Sequence, residues 1–164
     1  MKIRLDENLS FRVAAAIRGF TANRAGFEVS HVRDDNPPGT SDPIWLKKFS
    51  DEGGSVVISG DPNILRNWTN LIAYRETGLI AFFPPTRWDQ LKAFGQAALL
   101  MRWWPAIIEK AKASNRGDCW RIPMGWTPEI SKFQALQDPR FKTAQDCEKN
   151  NVVPLPTRHE FRKS

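Results

Sequence analysis

Ser55-Val56-Val57-Ile58-Ser59-Gly60-Asp61 decides the reading of this chain. Its β-branched run predicts a strand, and the strand ends at Gly60-Asp61 with a carboxylate. Upstream, Lys2-Ile3-Arg4-Leu5 is a shorter strand that ends in the same way, at Asp6-Glu7-Asn8. Between the two, Ser10 is placed to cap a helix from Phe11 to about Asn23, with Val13, Ile17 and Phe20 on one face and Gly26 just past its end. Phe27 to Val32 reads as a second strand. Asp34 and Asp35 fall in a Pro- and Gly-rich loop and are expected to be solvated. A helix opening at Asp42-Pro43, anchored by Ile44, Leu46 and Phe49, stops at Gly53-Gly54. Asp61-Pro62 opens another that ends at Gly78, and Leu79 to Phe83 is the fourth strand. Helices of this length between strands require crossovers, so the pattern predicts a parallel sheet inside a three-layer α/β domain.

The pattern changes at Pro84-Pro85. Thr86 and Asp89 have capping-box spacing ahead of a long helix that runs to about Ala113, with Pro105 expected to kink it. Leu91, Phe94, Ala98, Met101 and Trp104 form its predicted packing stripe. Ser114 to Asp118 is the clearest boundary, dividing a domain of residues 1–115 from a basic, Trp-rich C-terminal extension of residues 116–164. In that extension a hairpin is expected around Pro123, then a short helix near Pro128 to Leu136, then a polar tail from Gln137 to Ser164.

Composition narrows the function classes. Hydrophobic residues make up 41% and charged residues 26%, the balance of a soluble globular chain. No apolar run approaches a membrane span, and Met1 to Asp6 lacks a signal-peptide stretch, so a cytoplasmic protein without a membrane partner is expected. Two cysteines and two histidines, all scattered, argue against zinc. Residues 1–80 hold 10 Lys+Arg and 10 Asp+Glu, so the net charge of +6 comes entirely from the 14 basic and 8 acidic residues beyond them. Five of the seven tryptophans lie in that same half. Basic groups interleaved with aromatic rings suit phosphate contact and base stacking, which points to RNA; buried tryptophans with a solvated basic tail are the plainer alternative. Arg87, Lys92, Arg102, Arg116 and Arg121 are the candidate RNA contacts.

Chemistry rests on Asp6, Asp42 and Asp61. Each is expected on the rim formed by the carboxyl ends of the strands, where open α/β sheets place their ligands. Converging carboxylates repel unless a cation holds them, and hard oxygen donors suit Mg²⁺ or Mn²⁺. Glu7 and Asn63 are close enough in sequence to add or orient an oxygen ligand. Taken singly, Asp42 and Asp61 also fit helix caps and Asp6 a simple strand end. No nucleophile elbow, Walker A loop or dinucleotide-binding glycine pattern is present.

These segments, Lys2 to Ser10, Gly26 to Asp34, Gly39-Thr40-Ser41-Asp42 and Val57 to Asp61, together resemble PIN-like domains, in particular the branch related to VapC-type toxins. The resemblance spans about residues 1–83. It implies a ribonuclease dependent on a divalent metal, Mg²⁺ or Mn²⁺, held by Asp6, Asp42 and Asp61. It also implies the toxin role in a toxin–antitoxin pair, hence an antitoxin partner and a possible homodimer. Where such nucleases often carry a fourth acid, this chain has Asn63 and Asn67, which leaves one or two metals open. A PIN-like RNA- or protein-binding module without efficient hydrolysis is the first alternative. A phosphatase or phospho-acceptor domain with Asp6 as nucleophile ranks lower, because Asp6-Glu7-Asn8 departs from the Asp-x-Asp such enzymes use.

Overall fold

The computed structural model describes residues 1–21, 26–61 and 66–136. The polar tail from Gln137 lies outside them, as do Pro62 to Leu65 and Ala22 to Ala25. Six strands form one mixed sheet: β1 (Lys2–Leu5), β2 (Glu28–His31), β3 (Gly54–Ile58), β4 (Ile80–Phe83), β5 (Cys119–Arg121) and β6 (Gln134–Ala135), in the order β2-β1-β3-β4-β5-β6. The first five are mutually parallel, whereas β6 runs antiparallel to β5. Among the described residues four α-helices accompany the sheet: α1 (Phe11–Thr21), α2 (Asp42–Asp51), α3 (Trp68–Thr77) and α4 (Lys92–Lys112).

Alternation along the strands sorts the core into two layers. Ile3, Leu5, Val56, Ile58, Ile80 and Phe82 face α1 and α4. Val57, Ala81 and Phe83 face α2 and α3. Arg4 points to that second side and is 5% exposed, with its guanidinium over the Phe49 ring and paired to Asp35 at 2.9 Å. Asp35 is therefore not a free loop residue. Asp34 likewise accepts from the His31 amide and pairs with Arg18. Both acids answer a cation or an orphan N–H that sequence position does not reveal.

Helix faces depart from expectation in part. Phe20 and Ile44, expected to pack, are 74% and 64% exposed, and the neighbouring Trp45 takes the buried place on α2. On α4 the predicted stripe holds in part: Trp104 is buried and Leu91 and Met101 pack against the core, but Phe94 is 94% exposed and Ala98 is exposed, and Leu99, Leu100, Trp103, Ile107 and Ala111 supply the rest of the buried face. Thr86 caps nothing. A short 3₁₀ turn, Trp88–Leu91, precedes α4 without a side-chain cap, and Lys92, the first residue of α4, has φ 52°. The helix runs through Pro105 uninterrupted. Apolar anchors on both sides of the proline hold it to the sheet against a cost of about 3 kcal/mol. The helix expected from Asp61-Pro62 is described only from Trp68, where the Asn67 side chain accepts from the Thr69 and Asn70 amides.

The segment after Ser114 adds two strands to the sheet. β5 pairs with β4 from Ala81↔Cys119 to Phe83↔Arg121, and β6 pairs with β5. The hairpin around Pro123 does not form, because Met124 and Trp126 point outward and the carbonyls of Gly125 and Trp126 instead accept from the Trp103 and Arg102 side chains on α4. Phe133 fixes the return strand, packing edge-on against Phe82 and Trp103 at 5.5 and 5.3 Å. In place of the expected helix at Pro128 to Leu136 there is a single 3₁₀ turn, Ile130–Lys132, and then β6. Among the described residues no helix is long and apolar enough to cross a membrane.

Candidate metal centre

The strand order reverses direction between β1 and β3: β1 leads to β2 on one side, and β3 to β4 on the other. Crevices at such a switch point are the usual ligand sites of open α/β sheets. Asp6 follows β1 and Asp61 follows β3, so both stand at its mouth.

Asp6 is 1% exposed and sits in a cradle. Its Oδ1 accepts from the Gly60 amide at 2.9 Å and the Asn8 amide at 3.1 Å. Its Oδ2 accepts from Ser59 Oγ and, at 3.3 Å, from Asn8 Nδ2. Ser59 Oγ in turn accepts from the Asp61 amide at 3.1 Å, so the Ser59-Gly60-Asp61 exit wraps the Asp6 carboxylate. Gly60 is required by close approach, since a Cβ there would meet the Asn8 carbonyl at 2.7 Å.

Asp42 is the first residue of α2 and Ser41 is its N-cap residue. The carboxylate does not cap the helix. Its Oδ1 accepts from Trp45 Nε1 at 3.0 Å and its Oδ2 from Asn70 Nδ2 at 2.7 Å, which ties α2 to α3. Glu7 is exposed and accepts from the Gly39 amide at 3.4 Å, bridging the loop after β1 to the loop before α2. Asn63 lies outside the described residues.

Charge shows the convergence. Burial pushes the Asp42 carboxyl above its ordinary value, and the charges of Glu7 and Asp61 push it the same way, against the bonds from Trp45 and Asn70. Burial likewise raises Asp6, opposed by Ser59, Gly60 and Asn8 and assisted by the charge of Asp42. The charges of acids from three segments therefore meet at Asp42. Among the described residues no group of three or more His, Cys, Asp or Glu side chains forms a ready metal cage. The donor chemistry nonetheless fits a hard divalent cation: every group is a carboxylate oxygen, and a cation would offset the charges that meet at Asp42.

A pH dependence follows. Both carboxyls are raised, so the fold favours their neutral forms; that contribution is complete below the ordinary value of 3.8 and is lost as pH rises through the folded values. In a chelator the two groups are therefore expected to weaken the fold on going from mildly acidic to neutral pH. Stabilisation by added Mg²⁺ should be largest near neutrality and fade on acidification. Melting curves with Mg²⁺ and with chelator, across that range, check this; an Mg²⁺ effect that does not vary with pH would contradict it.

The basic candidates divide by location. Arg121 is the last residue of β5 and Arg87 comes four residues after β4, so both stand near the carboxyl ends of the strands. Lys92 begins α4 beyond Arg87. Arg116 lies at the opposite end, donating to the Thr77 carbonyl beside Gly78, and Arg102 projects from α4 to the Trp126 carbonyl. Trp45, Asn70 and Tyr74 are the site residues that sequence reasoning missed. No local signal marks Asn70 or Tyr74, which matter through the contact between α2 and α3. Cys119 is no nucleophile, since burial first and then the charge of Asp118 push its thiol up to about 12.

A family model described as a PIN-like domain matches residues 1–86, which contain all three aspartates. No curated protein and no solved structure matches the chain.

Proposed function

The chain belongs to the PIN-like domain family, and from that premise we propose that it is an endoribonuclease dependent on Mg²⁺ or Mn²⁺. The observation that carries the reading is the placement of Asp6 after β1, Asp61 after β3 and Asp42 at the start of α2, around the switch point of the sheet, with Asp42 oriented by Trp45 and Asn70. A bound cation supplies Lewis-acid activation of water and neutralises charge on the scissile phosphate. The chain's own residues prepare the site. Asp6 is held immobile by four donors, Asp42 is aimed by Trp45 and Asn70, and Asp61 is anchored through its amide to Ser59. Arg87 and Arg121, near the carboxyl ends of the strands, are the proposed phosphate contacts, with Lys92 beyond them. Arg102 beside the exposed Trp126 ring is suited to a more distant stretch of single strand. Arg116 is the least suited of the five by position.

We extend the proposal to a toxin of the VapC-related kind, cytoplasmic and restrained by an antitoxin. Phe20 and Phe94, large and exposed, offer apolar surface to such a partner or to a second copy of the chain. One observation favours a non-hydrolytic binding module instead: the four bonds to Asp6 already occupy its acceptor sites. Burial and the same four bonds argue against Asp6 as a phospho-acceptor.

Incubation of purified protein with single-stranded RNA in Mg²⁺, in Mn²⁺ and in chelator tests the activity. Cleavage is expected with either metal and none in chelator. Binding without cleavage in either metal would select the module. For the toxin role, expression alone should arrest growth, and an Asp61→Asn variant should not.

A further inference from the structure

Tyr74 is the only tyrosine in the chain, is 1% exposed, and has a buried hydroxyl without a hydrogen-bond partner among the described residues. Buried tyrosine hydroxyls ordinarily find a partner, and an unpaired one is costly. Its placement suggests what is missing. Tyr74 lies one turn after Asn70 on α3, on the face from which Asn70 reaches Asp42. Helical side chains lean toward the helix N-terminus, so the phenol extends toward Asn70 and the acidic rim. Its ring stands edge-on to Phe83, the last residue of β4, at 5.7 Å.

None of the described carboxylates accepts from this hydroxyl. Asp6 accepts four bonds, and each oxygen of Asp42 accepts one, from Trp45 or Asn70. Burial first, then the charges of Asp6 and Asp42, hold the phenol well above its ordinary titration range. The hydroxyl is thus a neutral donor beside a carboxylate cluster, and what it lacks is an oxygen.

Resting on the metal reading above, we propose that Tyr74 is a positioning residue whose hydroxyl donates to a water brought into the acidic crevice with the hydrated divalent cation. The bond is to a water that arrives with the cation, so it is made in the liganded protein.

The test uses the full chain labelled with fluorotyrosine, which gives one fluorine resonance because there is one tyrosine. Mg²⁺ is titrated while calorimetry measures binding independently. The resonance is expected to move with the calorimetric midpoint, and Asp42→Asn should abolish both signals. Tyr74→Phe should bind Mg²⁺ about three- to tenfold more weakly, the worth of one hydrogen bond. In chelator it should melt no lower than the parent chain, whereas a purely structural hydroxyl would make it melt lower. Binding by calorimetry with a stationary resonance, or with Tyr74→Phe at parental affinity, overturns the role of Tyr74 and leaves the metal site standing. Absence of Mg²⁺ binding overturns the metal site, and the inference with it.

Discussion

Asp42→Asn and Asp61→Asn are each expected to lower metal-dependent RNA cleavage by roughly 10²-fold or more, the scale of about 3 kcal/mol of lost charge stabilisation at a metal site. Neither should unfold the chain. At Asp42 the amide keeps an oxygen for Trp45 Nε1, and Asn70 can turn its own carbonyl toward the new NH₂. Losing a carboxyl that burial and two neighbouring acids disfavour should raise the melting temperature of Asp42→Asn in chelator at neutral pH. Activity and metal-free stability would then move in opposite directions. Asp6→Asn is a poorer probe, because its NH₂ would replace the oxygen that accepts from Ser59 and Asn8, mixing loss of charge with loss of the cradle. Parental cleavage by Asp42→Asn and Asp61→Asn at limiting Mg²⁺ would remove the acidic-site assignment.

A chain ending after Asn115 is expected not to fold as a stable monomer. The cut removes β5 and β6 and with them Ile122 and Phe133, 1% and 6% exposed. Burial of each contributes about 1.5–3 kcal/mol. It also uncovers Phe82 and Trp103, on which Phe133 packs, and leaves β4 as an unpaired edge. Against a total stability of roughly 5–15 kcal/mol such a loss is close to the whole. By contrast, a chain ending after Leu136 retains all six strands and should unfold cooperatively. Circular dichroism melts and size-exclusion chromatography of the two truncations check the contrast. A monomeric 1–115 chain with the parental melting temperature would show that β5 and β6 are dispensable.

The local order of elements through Phe83 was legible because it rests on short-range signals: β-branched runs for β1 to β4, Ser10 accepting from the Arg12 amide at the start of α1, and glycine beyond the ends of α2 and α3. The positions of Asp6 and Asp61 were legible for the same reason, since a carboxylate just after a parallel strand reaches the rim whatever the rest of the chain does, and Asp42 was legible as the start of α2. Asn70 and Tyr74 were not. Their importance comes from Asp42 standing across the α2–α3 contact, and no local spacing records which helix packs against which.

The helix faces and the second half required the tertiary structure. On α4 the apolar residues are dense enough to support more than one stripe, so periodicity alone selected Phe94 and Ala98, while packing against the sheet selected Leu100, Trp103 and Ile107. β5 and β6 are too short to announce themselves as strands, and they exist because β4 offers an open ladder and Phe133 fills the space between Phe82 and Trp103. The sequence by itself thus determined the strand-and-helix alternation and the three carboxylates at its turns, which depend on neighbours a few residues away. Only the tertiary structure decided which partners orient those carboxylates and how the sheet is completed, because those depend on groups brought together from distant parts of the chain.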